Sequence, residues 1–197
     1  MRRFLIAAAA VLIVAPGVAM AASSKVADLP AGAFTLDKKH SSVIAKVMHL
    51  GVSLYVLRFD GVDADFTYDP AHPDQASVKA TVDTTSLDVG ASYSRKFADE
   101  FLDATKYPTA TFVSTAITPD PDGQSGTMTG DLTLRGVTRP VTFKVTFVGV
   151  GHGILGGTVT GFSAETTIKR SEFGSRNYLS YVGDDVNLQI ETAFNRK

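Results

Sequence analysis

The chain of 197 residues contains no cysteine. That excludes disulfides, thiolate metal sites, a cysteine nucleophile and the lipidated N-terminus of a lipoprotein. An excess of one charge sign is also missing. With 19 basic and 20 acidic side chains the formal charge is −1, so no basic field exists to hold nucleic acid. Long apolar runs are lacking too, and the stretch Phe4 to Val14 is too short to span a bilayer comfortably. No G-x-S-x-G nucleophile elbow occurs, and no serine stands in a recognisable triad context.

What is present begins with an export signal. Arg2 and Arg3 form a positive start, Phe4–Val14 an apolar stretch, and Ala19-Met20-Ala21 a small-x-small cleavage site. Cleavage after Ala21 removes two arginines, leaving 17 basic against 20 acidic side chains and a charge of −3. The sequence therefore divides into a signal peptide (1–21), a small polar linker (22–32) and one folded domain (33–197). An exported domain places the protein in the periplasm or outside the cell, with no membrane span left after processing.

The folded part reads as β structure. Hydrophobic content of 44% and charged content of 20% are ordinary for a globular domain, and the 17 glycines punctuate short alternating runs. Phe34 and Leu36 share a face, as do Val43, Ala45 and Val47. A third strand spans Val56–Asp69, with Val62, Ala64, Phe66 and Tyr68 on one side and Phe59 out of phase, which predicts a bulge. Further strands follow at 78–82, 109–118, 131–134, 141–150, 158–169 and 186–194. The segment Arg135–Pro140, with glycine and proline, reads as a turn. From Ser92 to Lys106 the period changes, and Phe97, Phe101 and Leu102 recur at helical spacing. This predicts one short helical insertion ending before Tyr107-Pro108, a candidate lid or plug.

Eight or nine short strands fit either a sandwich or a closed barrel. An eight-stranded barrel has room for packed side chains or for one small ligand. Small inward residues (Ala45, Ala64, Ala80, Ala110, Ala164) suit a hollow interior, yet equally admit large neighbours from an opposing sheet.

Few motifs carry chemistry. Gly151-His152-Gly153-Ile154-Leu155-Gly156 spells G-x-G-x-x-G, but strand-like residues follow it rather than a helix, so it reads as a hairpin. His40 and His49 lie nine apart, on opposite faces of a strand, and neither has a carboxylate at ligand spacing. His72 and His152 are isolated. Asp63, Asp65 and Asp69 follow a period of two and form a solvated outer face. The residues call for no metal and no cofactor.

One stretch is more specific. Gly130-Asp131-Leu132-Thr133-Leu134-Arg135-Gly136-Val137-Thr138-Arg139-Pro140-Val141 resembles the G-D-L-T-[IL]-x-G-V-T-[KR]-P-V signature of YceI-like proteins. His40-Ser41, His49-Leu50-Gly51, Thr84–Asp88, Phe101–Pro108, Thr111–Ser114, Gly161-Phe162 and Arg170–Gly174 match the family in order. The resemblance covers residues 33–195. It implies an all-β, eight-stranded antiparallel lipocalin-like barrel with one short helical insertion, and a polyisoprenoid or similar long amphiphilic lipid as the partner held inside. It brings no catalytic residues. The chain departs from the family where Ala45 replaces a usual Phe, near Leu57–Arg58 and at Ala64, where glycines are usual, and at Tyr93–Ala98, which lacks the family's R-D-x-H-L-[RK] run. The Ala45 departure implies a locally wider cavity.

On this reading the face assignments nominate Val43, Val47, Phe66, Val82, Phe112, Leu132, Phe143, Phe147, Phe162 and Leu188 as ligand lining, with Phe97 and Phe101 near the mouth. The expected function is a carrier or sequestering protein that performs no chemistry. Two alternatives stay open: an enzyme for a lipidic or quinone-like substrate, using His49 or Arg170, and a filled-core stress protein acting through its surface. A homodimer is also left open.

Overall fold

The computed structural model describes residues 22–154 and 156–197. The signal peptide expected over 1–21 lies outside the described residues.

Eleven strand segments form one antiparallel sheet: β1 (Gly32–Leu36), β2 (Ser42–His49), β3 (Ser53–Phe59), β4 (Val62–Tyr68), β5 (Ser77–Asp83), β6 (Leu87–Asp88), β7 (Thr109–Pro119), β8 (Ser125–Leu134), β9 (Val137–His152), β10 (Thr158–Lys169) and β11 (Val182–Arg196). Pairing of β1 with β11, Phe34 opposite Arg196 and Leu36 opposite Phe194, closes the sheet on itself. The barrel has eight staves, because β1–β2, β3–β4 and β5–β6 are each one stave broken in the middle. The pattern alone left sandwich and barrel open; closure through the two chain ends decides for the barrel.

The breaks have side-chain causes. Between β1 and β2, Ser41 Oγ donates to Asp37 O at 2.8 Å and accepts from Ala193 N at 3.0 Å. A hydroxyl thus replaces a ladder partner where the backbone leaves the sheet. Between β3 and β4 the chain jogs at Asp60-Gly61, and Gly61 N donates to Ser86 Oγ at 2.8 Å. This jog is why Phe59 is out of phase with Ala64 and Phe66; the single strand expected over 56–69 is two.

The turn expected over Arg135–Pro140 is much tighter. Arg135 (φ 54°) and Gly136 (φ 73°) alone join β8 to β9, and Thr138, Arg139 and Pro140 already belong to β9. Two positive φ values give the twist a hairpin needs. Pro140 is tolerated because β9 pairs with β10 only from Lys144 onward, which leaves an edge where no N–H is required. Gly136 has a second reason to be glycine: a Cβ there would come within 2.6 Å of the Tyr107 ring. At Gly130 a Cβ would meet the Phe112 ring and lie 2.5 Å from Val113 O. The signature glycines are therefore places where an aromatic ring crosses the backbone.

The expected linker is not free. Ser23 bridges to Val150 through two 2.8 Å backbone hydrogen bonds, a 3₁₀ turn spans Val26–Asp28, and Leu29 is 1% exposed within the core. Its small polar composition hid one leucine that closes the barrel end. The helical insertion is α1 (Ser94–Phe97) widening into a π-type turn over Ala98–Leu102 and stopping at Asp103, whose φ is 51°. Asp99 holds that stop by accepting from Thr105 N at 2.9 Å and Thr105 Oγ1 at 2.7 Å.

Candidate ligand site in the barrel interior

Three apolar clusters divide the interior along its axis. At the floor, Phe34 and Phe66 stack with ring centroids 4.4 Å apart, and Phe194 meets Phe66 edge-on at 4.8 Å. Phe162 and Phe147 extend the group at 5.5 and 5.6 Å, and Leu29 covers it from below. Phe34 is 0% and Phe66 6% exposed. Each buried ring contributes about 1.5–3 kcal/mol over its exposed state.

The middle of the barrel differs. Phe112, Val141, Phe143, Ile168 and Phe173 are buried, with Phe112 edge-on to Phe143 at 5.2 Å. The side chains packed against them (Leu132, Leu134, Ala164, Val186, Leu188 and Ile190) are only half-buried, although they face inward. These inward apolar groups keep part of their accessible surface. On β2, Val43, Ala45 and Val47 are buried and pair with Ile190, Leu188 and Val186 of β11. Ala45, the small residue, stands opposite Leu188.

At the mouth, Leu87, Val89, Ala98 and Ala104 form a third cluster with Tyr55, Leu57, Phe59 and Phe97. The helical insertion is tied across the opening at several points. Arg135 donates to Phe101 O at 3.0 Å, and Asn177 Nδ2 donates to Glu100 O at 2.8 Å. The Arg170 guanidinium sits 5.6 Å from the Phe101 ring centroid.

The twelve residues nominated from sequence therefore fall into separate places. Phe66, Phe147 and Phe162 belong to the packed floor, and Phe112, Phe143, Leu132 and Leu188 to the middle. Val82 lies on β5 in register with Ala110, half-buried and on the same side as Ala80; Val43 and Val47 line β2. Phe97 and Phe101 touch each other at the mouth, centroids 4.6 Å apart. Leu134, Val186 and Ile190, which the pattern places on the same faces as Leu132 and Leu188 but which were not nominated as lining, are half-buried in this same cluster. Sequence reasoning also left out Phe34, Phe194 and Leu29, whose grouping depends on closure.

Electrostatics inside are quiet. Among the described residues the buried polar side chains are Thr84, Thr160, Arg170 and Ser175. Thr84 Oγ1 donates to Tyr107 O at 2.7 Å and Thr160 Oγ1 to Gly149 O at 2.9 Å. Arg170 donates to Gly183 O at 2.8 Å, Ser175 O at 3.0 Å and Val182 O at 2.8 Å. Burial pulls its pKa down from the usual arginine value, with Asp184 opposing. Arg170 thus pins the loop before β11, and these three bonds leave it little capacity for a substrate. His49 is exposed at the end of β2, its ring 6.3 Å from that of Tyr55. His40 Nδ1 donates to Asp37 Oδ2 at 2.8 Å on the outer surface. Among the described residues no group of three or more His, Asp or Glu side chains gathers as a metal site. The arrangement can enclose an apolar chain.

Fold and interior together define a closed antiparallel eight-stranded barrel with an aromatic floor, an apolar middle whose inward side chains are in part only half-buried, and a helix-crossed mouth. Comparison with known proteins agrees and goes further. Residues 34–194 match the YceI-like domain, and the chain belongs to that family. It is 38% identical over 161 residues to Protein YceI of Shigella flexneri, covering 80% of this chain and 83% of that one. It is 39% identical over 176 residues to a UPF0312 protein of Vibrio campbellii, covering 83% and 90%. Among solved structures, BcnA of Burkholderia cenocepacia superposes with a TM-score of 0.70 at 30% identity, covering 80% of this chain and 98% of that chain. A polyisoprenoid binding domain from Saccharophagus degradans shares the fold at a TM-score of 0.62 and 15% identity, covering 83% and 98%.

Proposed function

We propose that this protein binds a polyisoprenoid or similar long amphiphilic lipid inside its barrel, and carries or sequesters it in the periplasm without chemical change. The observation that carries the reading is the half-buried inward band of Leu132, Leu134, Val186, Leu188 and Ile190 between a packed floor and a bridged mouth. A tail laid along that band gains about 0.8 kcal/mol per methylene removed from water, so no charged contact is needed to hold it. Binding of this kind draws on shape and length, with a few polar groups placing the head. Family membership supports it, as does the Saccharophagus degradans domain of the same fold, described as polyisoprenoid-binding. The periplasmic assignment rests on the signal-like residues 1–21 and the absence of cysteine.

Mass spectrometry on organic extracts of natively purified protein tests the reading. A stoichiometric long-chain lipid is expected, and the intact mass should begin at Ala22. Protein that is clean on extraction and also refuses added isoprenoid analogues would overturn it. Turnover of a bound lipid, lost on His49→Ala, would replace it with an enzyme.

A further inference from the structure

The end of the barrel crossed by the helical insertion is also where the outer surface turns apolar. Twelve large hydrophobic side chains are exposed among the described residues, and all but Val113, Val148 and Ile154 gather at this end. Met48, Leu54 and Val56 stand on the outward face of the β2–β3 hairpin, and Leu50 and Val52 on its tip. Val52 is 81% exposed. The loop before β11 joins this surface through Leu50 N, which donates to Tyr181 O at 2.7 Å; it adds the exposed Leu179 and Tyr181. Tyr93, ahead of α1, brings its hydroxyl 3.5 Å from that of Tyr55, and Tyr178 lies 6.1 Å from Phe101. An exposed apolar surface this continuous marks an interaction site.

Its charge says with what. The contributing segments 46–59, 89–98 and 173–183 hold Lys46, Arg58, Arg95, Lys96 and Arg176 and no acid, in a chain whose total is −1. Several bordering carboxylates are engaged. Asp88 accepts from Gly90 N and Ser94 Oγ, Asp99 from Arg95 and Thr105, Asp184 from Ser171, and Asp185 from Lys169. Glu100 interacts with Tyr178, Glu172 is exposed, and Arg58 has Asp60 3.0 Å away. Arg58 and Arg95 are thus ion-paired, and Lys46, Lys96 and Arg176 have no carboxylate partner among the described residues. Apolar side chains, tyrosines and such cations together are what an interfacial, anion-seeking membrane surface requires.

We propose that this face docks on an anionic lipid bilayer, with the β2–β3 tip and the tyrosines entering the headgroup layer and the mouth turned toward the membrane. It builds on the lipid-binding reading, since docking there places the interior beside the source of its ligand. Among the described residues nothing pairs with the edge of β3 from Ser53 to Leu57, which offers a rival occupant, a second copy of this chain. A two-fold contact there would set the same cations against each other, whereas phosphatidylglycerol headgroups would neutralise them.

The test is flotation of natively purified, processed protein with vesicles of phosphatidylcholine alone or mixed with phosphatidylglycerol. Lipid content is read separately by extraction. Binding to the anionic vesicles only, weakened by salt, is expected. The exposed double variant Val52→Asp/Leu54→Asp should lose it while keeping its far-UV spectrum and its extracted lipid. Lys46→Glu/Lys96→Glu should weaken partitioning about tenfold or more. No flotation of the parent protein, or flotation unchanged in the variants, overturns the docking surface. A dimer in sedimentation that Val52→Asp/Leu54→Asp dissociates, without vesicle binding, assigns the face to a second copy instead. A lipid-free interior with intact flotation sinks the binding reading and leaves the docking surface standing.

Discussion

At one end of the barrel Phe34, Phe66 and Phe194 pack with centroids 4.4 and 4.8 Å apart and Leu29 seals them. At the other, Tyr93, Tyr178 and Tyr181 are half-exposed or more, and the chain across the opening is a single helical turn and a π-type turn. Both ends are aromatic. The floor rings lie on β1, β4, β9, β10 and β11 and pack against one another and against Leu29, Leu36 and Val150. The mouth rings sit on a hairpin tip and loops, with water on one side. Aromatic content thus makes a stopper where the rings are enclosed and a docking rim where they meet water.

The comparison can be broken by mutation. Phe66→Ala should cost about 3–5 kcal/mol in chemical denaturation. Leu132→Ala, in the half-buried middle, should cost about 2 kcal/mol at most; equal losses would show an interior filled to the same density throughout. Arg170→Met removes donors from three loop carbonyls and should cost about 3 kcal/mol. Hydrogen exchange should accelerate over 175–183 while floor amides on β1 and β11 stay protected; uniform acceleration would show that the ends are not separable.

Two mouth glycines give a finer contrast. Gly136→Ala combines φ 73° with a Cβ 2.6 Å from Tyr107, whereas Gly90→Ala has φ 71° with nothing within 4 Å. The first should lower stability by about 2–3 kcal/mol and the second by about 1 kcal/mol. Ala45→Phe places a ring opposite Leu188. If the middle is open, stability changes by less than about 1 kcal/mol while extracted lipid falls; a loss of about 1–3 kcal/mol would indicate overpacking.

The smallest effect is pH-dependent. Burial works to raise the Asp184 pKa, but hydrogen bonds from Ser171 outweigh it and hold the carboxyl below its usual 3.8. A lowered folded-state pKa gives stability that is full above 3.8 and is lost as pH falls through the folded value. Acid titration below that point should loosen the 171–184 loop, and Asp184→Asn should remove that part of the acid dependence.

Much of this was legible in the residues. Alternation placed Val43, Val47, Phe112, Phe143 and Leu188 on inner faces because a strand's side-chain period is two and one face must be dry. The helical insertion announced itself through Phe97, Phe101 and Leu102. The turn at Arg135-Gly136 was overextended to Pro140 because proline reads as a breaker, and only the local edge of β9 shows that its missing N–H is harmless. Leu29 was hidden because one leucine in a polar stretch has no period. Arg170 read as a candidate for substrate because its partners, the carbonyls of Ser175, Val182 and Gly183, leave no side-chain signature.

The sequence by itself determined the β class, the inner face of most strands and, through the Gly130–Val141 signature, the family. These depend on local periodicity and short-range turn chemistry, which neighbouring residues encode. Tertiary structure alone decided how the sheet closes, with β1 meeting β11, and that the interior is buried at one end while several inward side chains of the middle are half-buried. Those facts depend on contacts between residues such as Leu36 and Phe194, 158 positions apart, which meet only when the sheet curls round on itself.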